Sequence, residues 1–351
     1  MSDAQTELLR DCWYVATHSN ALARGKMQPV TIAQEKILLG RDDNDVVFAL
    51  RDFCPHRGVP LSYGTFDGCE ITCCYHGWRF NTQGTCTAIP SLTEGDPTDV
   101  SKIKTARYSC LEQDGLIWVY LAVDPKQPPA SPPPAMPIPL TTGFRHVHSV
   151  EFPCDIDHAV IGLMDPSHGP YVHRSWWWRS AKSMHEKQKN FAPRGLGFSM
   201  LSHKPSSNSR AYRILGGAGE RRTEITFQLP GLRTELITIG QKYVLLLTAL
   251  TPIDGARTQL HQFIATNIGF ANALLPLLKP FGKVFIGQDL EIVRKQQEGL
   301  AQPNTPSLML LGDADAQALW YYRLKKEYLA ATAESRTFEN PLREKMLRWR
   351  S

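Results

Sequence analysis

Between positions 27 and 52 the chain alternates apolar and polar residues (MQPVTIAQEKILLGRDDNDVVFALRD) around an Asp-Asp-Asn-Asp run. A period of two is the signature of half-buried strands, and the acidic run supplies a turn. Two or three short strands joined by a hairpin are therefore predicted. GLIWVYLAV, from Gly115 to Val123, predicts another strand and closes a small all-β unit near Asp124. The following PKQPPASPPPAMPIPL holds eight of the 25 prolines within 16 residues. Such a segment forms neither helix nor sheet interior and reads as an extended connector. Beyond it lie strand patterns at Thr223 to Leu229, Glu235 to Ile239, Tyr243 to Leu250 and Gln259 to Asn267. Helical patterns follow at Ala271 to Leu278, Val284 to Gly299 and Ala316 to Glu334. Strands followed by helices, rather than alternating with them, predict an α+β domain on an antiparallel sheet. The expected organisation is an all-β domain over 1–125, a linker over 126–141 and a second domain over 142–351.

Composition adds little to this picture. With 42 % hydrophobic and 21 % charged residues and no low-complexity block, the chain reads as an ordinary soluble globular protein. The net charge of +5, from 39 basic and 34 acidic side chains, is too small and too scattered to argue for nucleic acid. It suits a mildly basic surface that docks an acidic protein or admits an anionic substrate. MSDAQTELLRDCW lacks the basic-then-apolar pattern of a signal peptide, and the longest apolar stretches, Tyr243 to Leu250 and Ala271 to Leu278, are too short for a membrane span. A cytoplasmic location without membrane contact is expected. In that reducing setting clustered cysteines point to metal.

The stretch CPHRGVPLSYGTFDGCEITCCYHGW contains Cys54-x-His56 and, after sixteen intervening residues, Cys73-x-x-His76. Each half offers one thiolate and one imidazole. A structural zinc accepts two cysteines and two histidines, although zinc fingers pair like with like along the chain. A plant-type iron–sulfur site needs four cysteines at other spacings. Two cysteines on one iron and two histidines on the other is the demand of a Rieske centre.

The stretch resembles the Rieske domain, and Gly77 after His76 matches the family's second loop. The resemblance implies a [2Fe-2S] cluster held by Cys54, His56, Cys73 and His76. Where respiratory Rieske proteins place a loop-pinning disulfide, this chain has Val59 and Tyr75. CYHGW instead resembles the ring-hydroxylating oxygenases. Cys69, Cys74 and Cys86 are expected to be small buried side chains rather than ligands.

The second constellation is Asp165-x₂-His168-x₄-His173, within MDPSHGPYVHRSWWWR. Asp165 and His168 would share a helix face. Gly169 and Pro170 are expected to end that helix, letting His173 swing back towards His168. Two imidazoles and a carboxylate suit a divalent first-row metal, as in the facial triad of non-haem Fe(II) oxygenases. This motif is similar to that of the Rieske oxygenase α-subunits. The resemblance makes His168 and His173 iron ligands and Asp165 the bridge to a Rieske histidine of a neighbouring subunit, usually in a ring of three. The third ligand is implied by IGQDLEIVRKQQ, which resembles the family's helix where an aspartate begins a run that ends in a pair of glutamines; Asp289 is preferred over Glu291 and Glu298. Four residues before Asp165, where naphthalene-type dioxygenases often carry asparagine, stands Ile161. That departure weighs against cis-dihydroxylation. Trp176, Trp177 and Trp178 are candidates for a pocket wall or a subunit seam, and the Ala271 to Leu278 segment for a cover over the entrance. His158 reads as an ordinary histidine, and the LRWRS ending is given no chemistry.

The implied fold is an all-β Rieske domain followed by a helix-grip catalytic domain. The implied function is that of a terminal oxygenase, using O₂ to hydroxylate or demethylate a small aromatic or related ring. Without a nucleotide fingerprint in the chain, NAD(P)H electrons would come from a separate flavin reductase, with or without a ferredoxin. A cis-dihydroxylating dioxygenase is the alternative; a Rieske electron carrier and a zinc-stabilised binding module are the rival classes.

Overall fold

The computed structural model describes residues 7–173, 184–205, 220–305 and 308–351, with the side chains of 270–278 outside that description. The chain forms two compact units, one of Leu8–Met136 and another that starts at Pro137.

The first unit is all-β. Six strands, β1 (Cys12–His18), β2 (Lys26–Ile32), β3 (Glu35–Arg41), β4 (Val47–Arg51), β9 (Arg107–Gln113) and β10 (Leu116–Leu121), form one sheet in the order β1-β10-β9-β4-β3-β2. The short strands β5 (Thr65–Phe66), β6 (Glu70–Thr72), β7 (Arg79–Asn81) and β8 (Cys86–Ala88) form the other. The expected acidic turn joins β3 to β4: the Asp42 carboxylate accepts from the Asn44 and Val46 amides at 2.9 and 2.8 Å. Leu38, Phe48 and Leu50 pack with Ile71 and Phe80, and Cys54, Cys73 and Cys86 lie in the same buried cluster. The two motif cysteines are thus seated in a hydrophobic core before any metal chemistry is considered.

The second unit is built on eight antiparallel strands: β11 (Arg145–Phe152), β12 (Glu186–Arg194), β13 (Gly197–His203), β14 (Arg221–Gln228), β15 (Leu232–Ile239), β16 (Lys242–Pro252), β17 (Thr258–Thr266) and β18 (Lys345–Arg350). Their order is β11-β17-β16-β15-β14-β13-β12-β18. β14 to β17 fall on the predicted strand patterns. β11, β12 and β13 escape sequence reasoning because RHVHSVEF, EKQKNFAPR and GFSMLSH lack clean alternation. The basic, aromatic tail is strand β18, with Leu347 and Trp349 turned inwards and their neighbours out.

Helices α1 (Ile156–Met164), α2 (Gly169–Val172), α3 (Gly269–Leu300) and α4 (Ala316–Ala333) complete this unit. On α4, Trp320 meets the Phe191 and Phe198 rings at 5.5 and 5.2 Å, and Tyr321 meets Phe227 at 5.8 Å. Those three phenylalanines mark the sheet face that receives helices. The two helical patterns expected before and after Pro280 are one continuous helix, α3. Each internal proline removes only one intrahelical bond, and Pro280 lies at an exposed position where water can satisfy the released carbonyl.

Helix α1 is tied down at its first turn. The Asp157 carboxylate accepts from Tyr321 Oη at 2.5 Å and from Lys325 Nζ at 2.6 and 2.8 Å, with both charged side chains largely buried. Removing one partner of such a pair strands the other charge. Asp157→Ala is therefore expected to lower stability by about 3–5 kcal/mol in chemical denaturation. Asp157→Leu combined with Lys325→Met should recover most of that loss.

Two residues earlier, Asp155 caps α1 through the His158 amide at 2.9 Å and holds His158 Nδ1 at 2.6 Å. Burial pushes the Asp155 carboxyl up, but bonding to His158 outweighs it, so its pKa lies below 3.8. The bond to Asp155 raises His158 above 6.5 against the effect of burial. The Asp155 contribution is present above 3.8 and fades as pH falls through its folded value; that of His158 is complete below 6.5 and fades as pH rises through its folded value. Asp155→Asn keeps the cap and removes the charge. Its melting temperature should fall furthest below wild type between pH 3.8 and 6.5, and the gap should narrow at alkaline pH.

Candidate metal centres

In the first unit the two motif loops are built alike. The Cys54 amide donates to the Val59 carbonyl and the Gly58 amide returns to the Cys54 carbonyl, both at 2.9 Å. In the second loop Cys73 donates to Trp78 at 2.9 Å and Gly77 returns to Cys73 at 3.0 Å. Gly58 and Gly77 take φ of +77° and +69°, which a side chain would strain, and each stands four residues after its cysteine. The histidines break the symmetry: His56 is two residues beyond its cysteine and His76 three.

Cys54 and Cys73 are buried, unbridged and in contact, while the His56 and His76 rings meet edge to face at 4.5 Å. Burial, and then the facing Cys73, push the Cys54 thiol up. Two buried, unbridged sulfurs beneath neighbouring imidazoles are the donor set a cationic iron–sulfur cluster would satisfy. Trp78 stacks on His56 at 4.5 Å and 4°, and Tyr75 lies 3.9 Å from His76. His76 reaches the surface; His56 is half-buried. One expectation needs correction. Cys86 is buried, but Cys69 and Cys74 are exposed. Cys74 follows inward-facing Cys73 in a tight turn and so points out, and Cys69 lies in a turn where its amide donates to Asp67 at 2.9 Å.

In the second unit the helix break differs from expectation. Helix α1 ends at Met164 because Pro166 drives Asp165 out of helical space, to φ −67° and ψ 119°. Gly169 and Pro170 begin α2 rather than ending α1, since proline fits a first helical turn. Asp165 and His168 accordingly lie in the break, not on one helix face. His168 and His173 stand at the two ends of the one-turn α2. Asp289 comes from α3, on a face it shares with Phe285, Ile286 and Val293 at helical spacing.

Three ligand atoms converge here. His168 Nε2 and His173 Nε2 are 3.2 Å apart, and Asp289 Oδ1 is 3.7 and 3.3 Å from them. Donors at about 2.1 Å from one ion and at right angles stand about 3.0 Å apart, so the set forms one face of an octahedron, slightly opened. Two imidazole nitrogens pointed at each other need a proton or a cation between them. The His173 Nδ1–H donates to Gln288 Oε1 at 3.1 Å and Phe285 stacks on that ring at 3.5 Å, so the Nε2 lone pair is aimed at the gap. Asp165 Oδ2 lies 3.6 Å from His168 Nδ1, an ion-pair separation, while Asp165 Oδ1 accepts from the Ser167 amide at 2.6 Å. Burial lowers the His168 pKa, but Asp165 and then Asp289 outweigh it and the balance is upward. Burial pushes Asp289 up to about 6, against His168 and Arg233.

Of the rival carboxylates, Glu291 is exposed and paired with Lys295 at 2.6 Å, and Glu298 is exposed. Ile161 is buried on α1. Trp176, Trp177 and Trp178 lie outside the described residues, and of Ala271 to Leu278 only the helical backbone is described. Sequence reasoning missed Gln288 and Phe285, whose signal was their spacing from Asp289. It also missed Arg233, which carried none.

A model of the Rieske [2Fe-2S] domain matches residues 12–108, and one of the vanillate O-demethylase oxygenase C-terminal domain matches residues 157–331. The chain belongs to the Rieske non-haem iron oxygenase family, and its C-terminal domain is of the vanillate O-demethylase type. It is 29 % identical to chlorophyllide a oxygenase of Arabidopsis thaliana, over 48 % of this chain and 30 % of that protein. It is 32 % identical to the oxygenase component of dicamba O-demethylase from Stenotrophomonas maltophilia, over 48 % of each. The match thus spans less than half the length of these curated relatives. Dicamba monooxygenase bound to dicamba superposes with a TM-score of 0.71 over 92 % of this chain and 98 % of that one, at 22 % identity, a likeness of fold. No described helix is long and apolar enough to cross a membrane.

A divalent ion held by the three convergent atoms is expected to bind about 10- to 100-fold more weakly in Gln288→Leu. Metal titration, with the visible spectrum of the [2Fe-2S] cluster as an internal control for folding, checks this.

Proposed function

We propose that the chain is the terminal oxygenase of a multicomponent system that hydroxylates, or removes an O- or N-methyl group from, a small aromatic or related ring. The observation that carries this reading is the His168, His173 and Asp289 cluster in a chain that also has a Rieske domain. A carrier of electrons alone has no use for a second, open three-donor site.

In this reading Cys54 and Cys73 hold one iron of the cluster, His56 and His76 the other, and His168, His173 and Asp289 hold a mononuclear Fe(II). When bound, these groups supply single electrons and O₂ activation respectively. Balanced for demethylation, a methoxy substrate, O₂, two electrons and two protons give the alcohol, formaldehyde and water. The protein's part is placement. Gln288 fixes the His173 tautomer, and Asp165 braces His168 from the other side. Asp165 keeps 34 % of its side chain exposed, as a residue linking His168 to a histidine of a neighbouring subunit must. A homotrimer, and a ferredoxin or flavin reductase as donor, complete the proposal. Buried Ile161 offers no amide near Asp165, so single-atom insertion is favoured over cis-dihydroxylation.

Mass spectrometry of products formed from an aromatic library under labelled O₂, with a surrogate reductase, tests the function. One labelled oxygen per hydroxylated product is expected; two would mean dihydroxylation. His168→Ala should lose mononuclear iron and all product while the Rieske spectrum persists. Asp165→Asn should keep both metals and nearly stop turnover. Normal turnover in that variant removes the bridging role.

A further inference from the structure

The two ligand loops of the first unit are closed by matching bonds. In each, the residue five places after the cysteine supplies the carbonyl that accepts from the cysteine amide: Val59 in the first loop, Trp78 in the second. At that matching position one loop carries an isopropyl group and the other an indole. The indole does not stay within its own loop. It lies flat on His56 of the other, with 4.5 Å between ring centroids and 4° between planes.

Little else outside the donor set joins the loops. Cys54 meets Cys73 and His56 meets His76, but these four are the ligands of the implied cluster. Among the described residues no disulfide and no backbone hydrogen bond runs between 54–59 and 73–78. A loop-pinning disulfide is ruled out, because Val59 and Tyr75 hold the positions it would need. Among the described ring contacts and hydrogen bonds, Trp78 is the one non-ligand side chain that reaches from loop to loop. Its other side packs on the buried cluster that contains Cys54, Leu61 and Cys73, so the indole is held from behind. Its Nε1–H is buried with no hydrogen-bonding partner among the described residues. A buried indole placed by its N–H would have an acceptor. This one is placed by its face.

We propose that Trp78 is a positioning residue of the iron–sulfur centre. Stacked on His56, it clasps the two loops and holds down the reduction potential of a bound [2Fe-2S] cluster. The inference rests on His56 being a cluster ligand, and on neither the reaction nor its substrate. An imidazole on ferric iron carries more positive charge than one on ferrous iron. The π face of an indole attracts positive charge more strongly than that of phenylalanine or tyrosine, so the stack favours the oxidised state. It also keeps water from one face of half-buried His56. With two thiolates and two neutral imidazoles the cluster is neutral when oxidised and anionic when reduced. Water admitted beside it would favour the reduced state, so both effects of losing the indole have the same sign.

The test uses the whole protein with its cluster, as wild type, Trp78→Leu, Trp78→Phe and Val59→Ala, the last a control at the matching place in the other loop. A redox titration followed by circular dichroism reads the potential, and bleaching of the visible spectrum under a chelator reads cluster retention. Trp78→Leu is expected to shift the reduction equilibrium about three- to tenfold towards the reduced form, the upper end being about 59 mV for one electron. It should also lose its cluster severalfold faster. Trp78→Phe, which keeps a weaker π face, should fall between Trp78→Leu and wild type, and Val59→Ala should keep the wild-type potential. An indole that merely fills space would alter retention and leave the potential where it is. A Trp78→Leu potential within twofold of wild type, or displaced the other way, overturns the proposal. If Trp78→Leu does not load a cluster, Trp78→Phe decides: a potential above wild type supports the clasp, and one at or below it overturns the proposal. His56→Ala tests the ligand assignment separately. A Rieske spectrum that survives in that variant removes the assignment, whereas an unmoved potential in Trp78→Leu removes the clasp alone.

Discussion

Helical backbone is disfavoured at a residue that precedes proline, and this restriction takes hold at Asp165-Pro166 and organises the second unit. Without it α1 and α2 would join, and Asp165, His168 and His173 would be distributed around one cylinder at 100° per residue. The break releases Asp165 as a half-exposed carboxylate and turns both imidazoles towards α3. Because α1 is pinned to α4 through Asp157, Tyr321 and Lys325, the break occurs at a fixed place against the sheet. A flexible connection thereby becomes a defined three-donor site.

The first unit reaches comparable definition by a different route. There the ligands sit in loops, and each loop is closed on itself by two backbone hydrogen bonds and a glycine of positive φ. The cysteines anchor these loops in the hydrophobic core, and the imidazoles project outwards. Burial of the sulfurs and exposure of His76 separate the two ends of the donor set, one in low dielectric and one at water.

Much of this was legible in the sequence, because Cys54, His56, Cys73, His76, His168 and His173 lie in short motifs whose spacing reflects local geometry. Strands β14 to β17 were legible through their period. Asp289 was readable because IGQDLEIVRKQQ resembles the family's helix, in which an aspartate begins a run that ends in a pair of glutamines. What depends on distant partners was not: the face on which Arg233 lies follows from the register of five strands. The helix break was misplaced because Gly169-Pro170 was weighed as a terminator while Pro166 was overlooked. The exposure of Cys69 and Cys74 depended on turn geometry that residue type does not disclose.

Arg233 and Glu235 sit on β15, which is hydrogen-bonded to a neighbour along both edges, whereas the three convergent donors belong to helical segments. The backbone under the charged pair is therefore held by the sheet, independently of the helices that carry the donors. Such a division lets side chains on the sheet be exchanged while the segments that carry the donors keep their own backbone support.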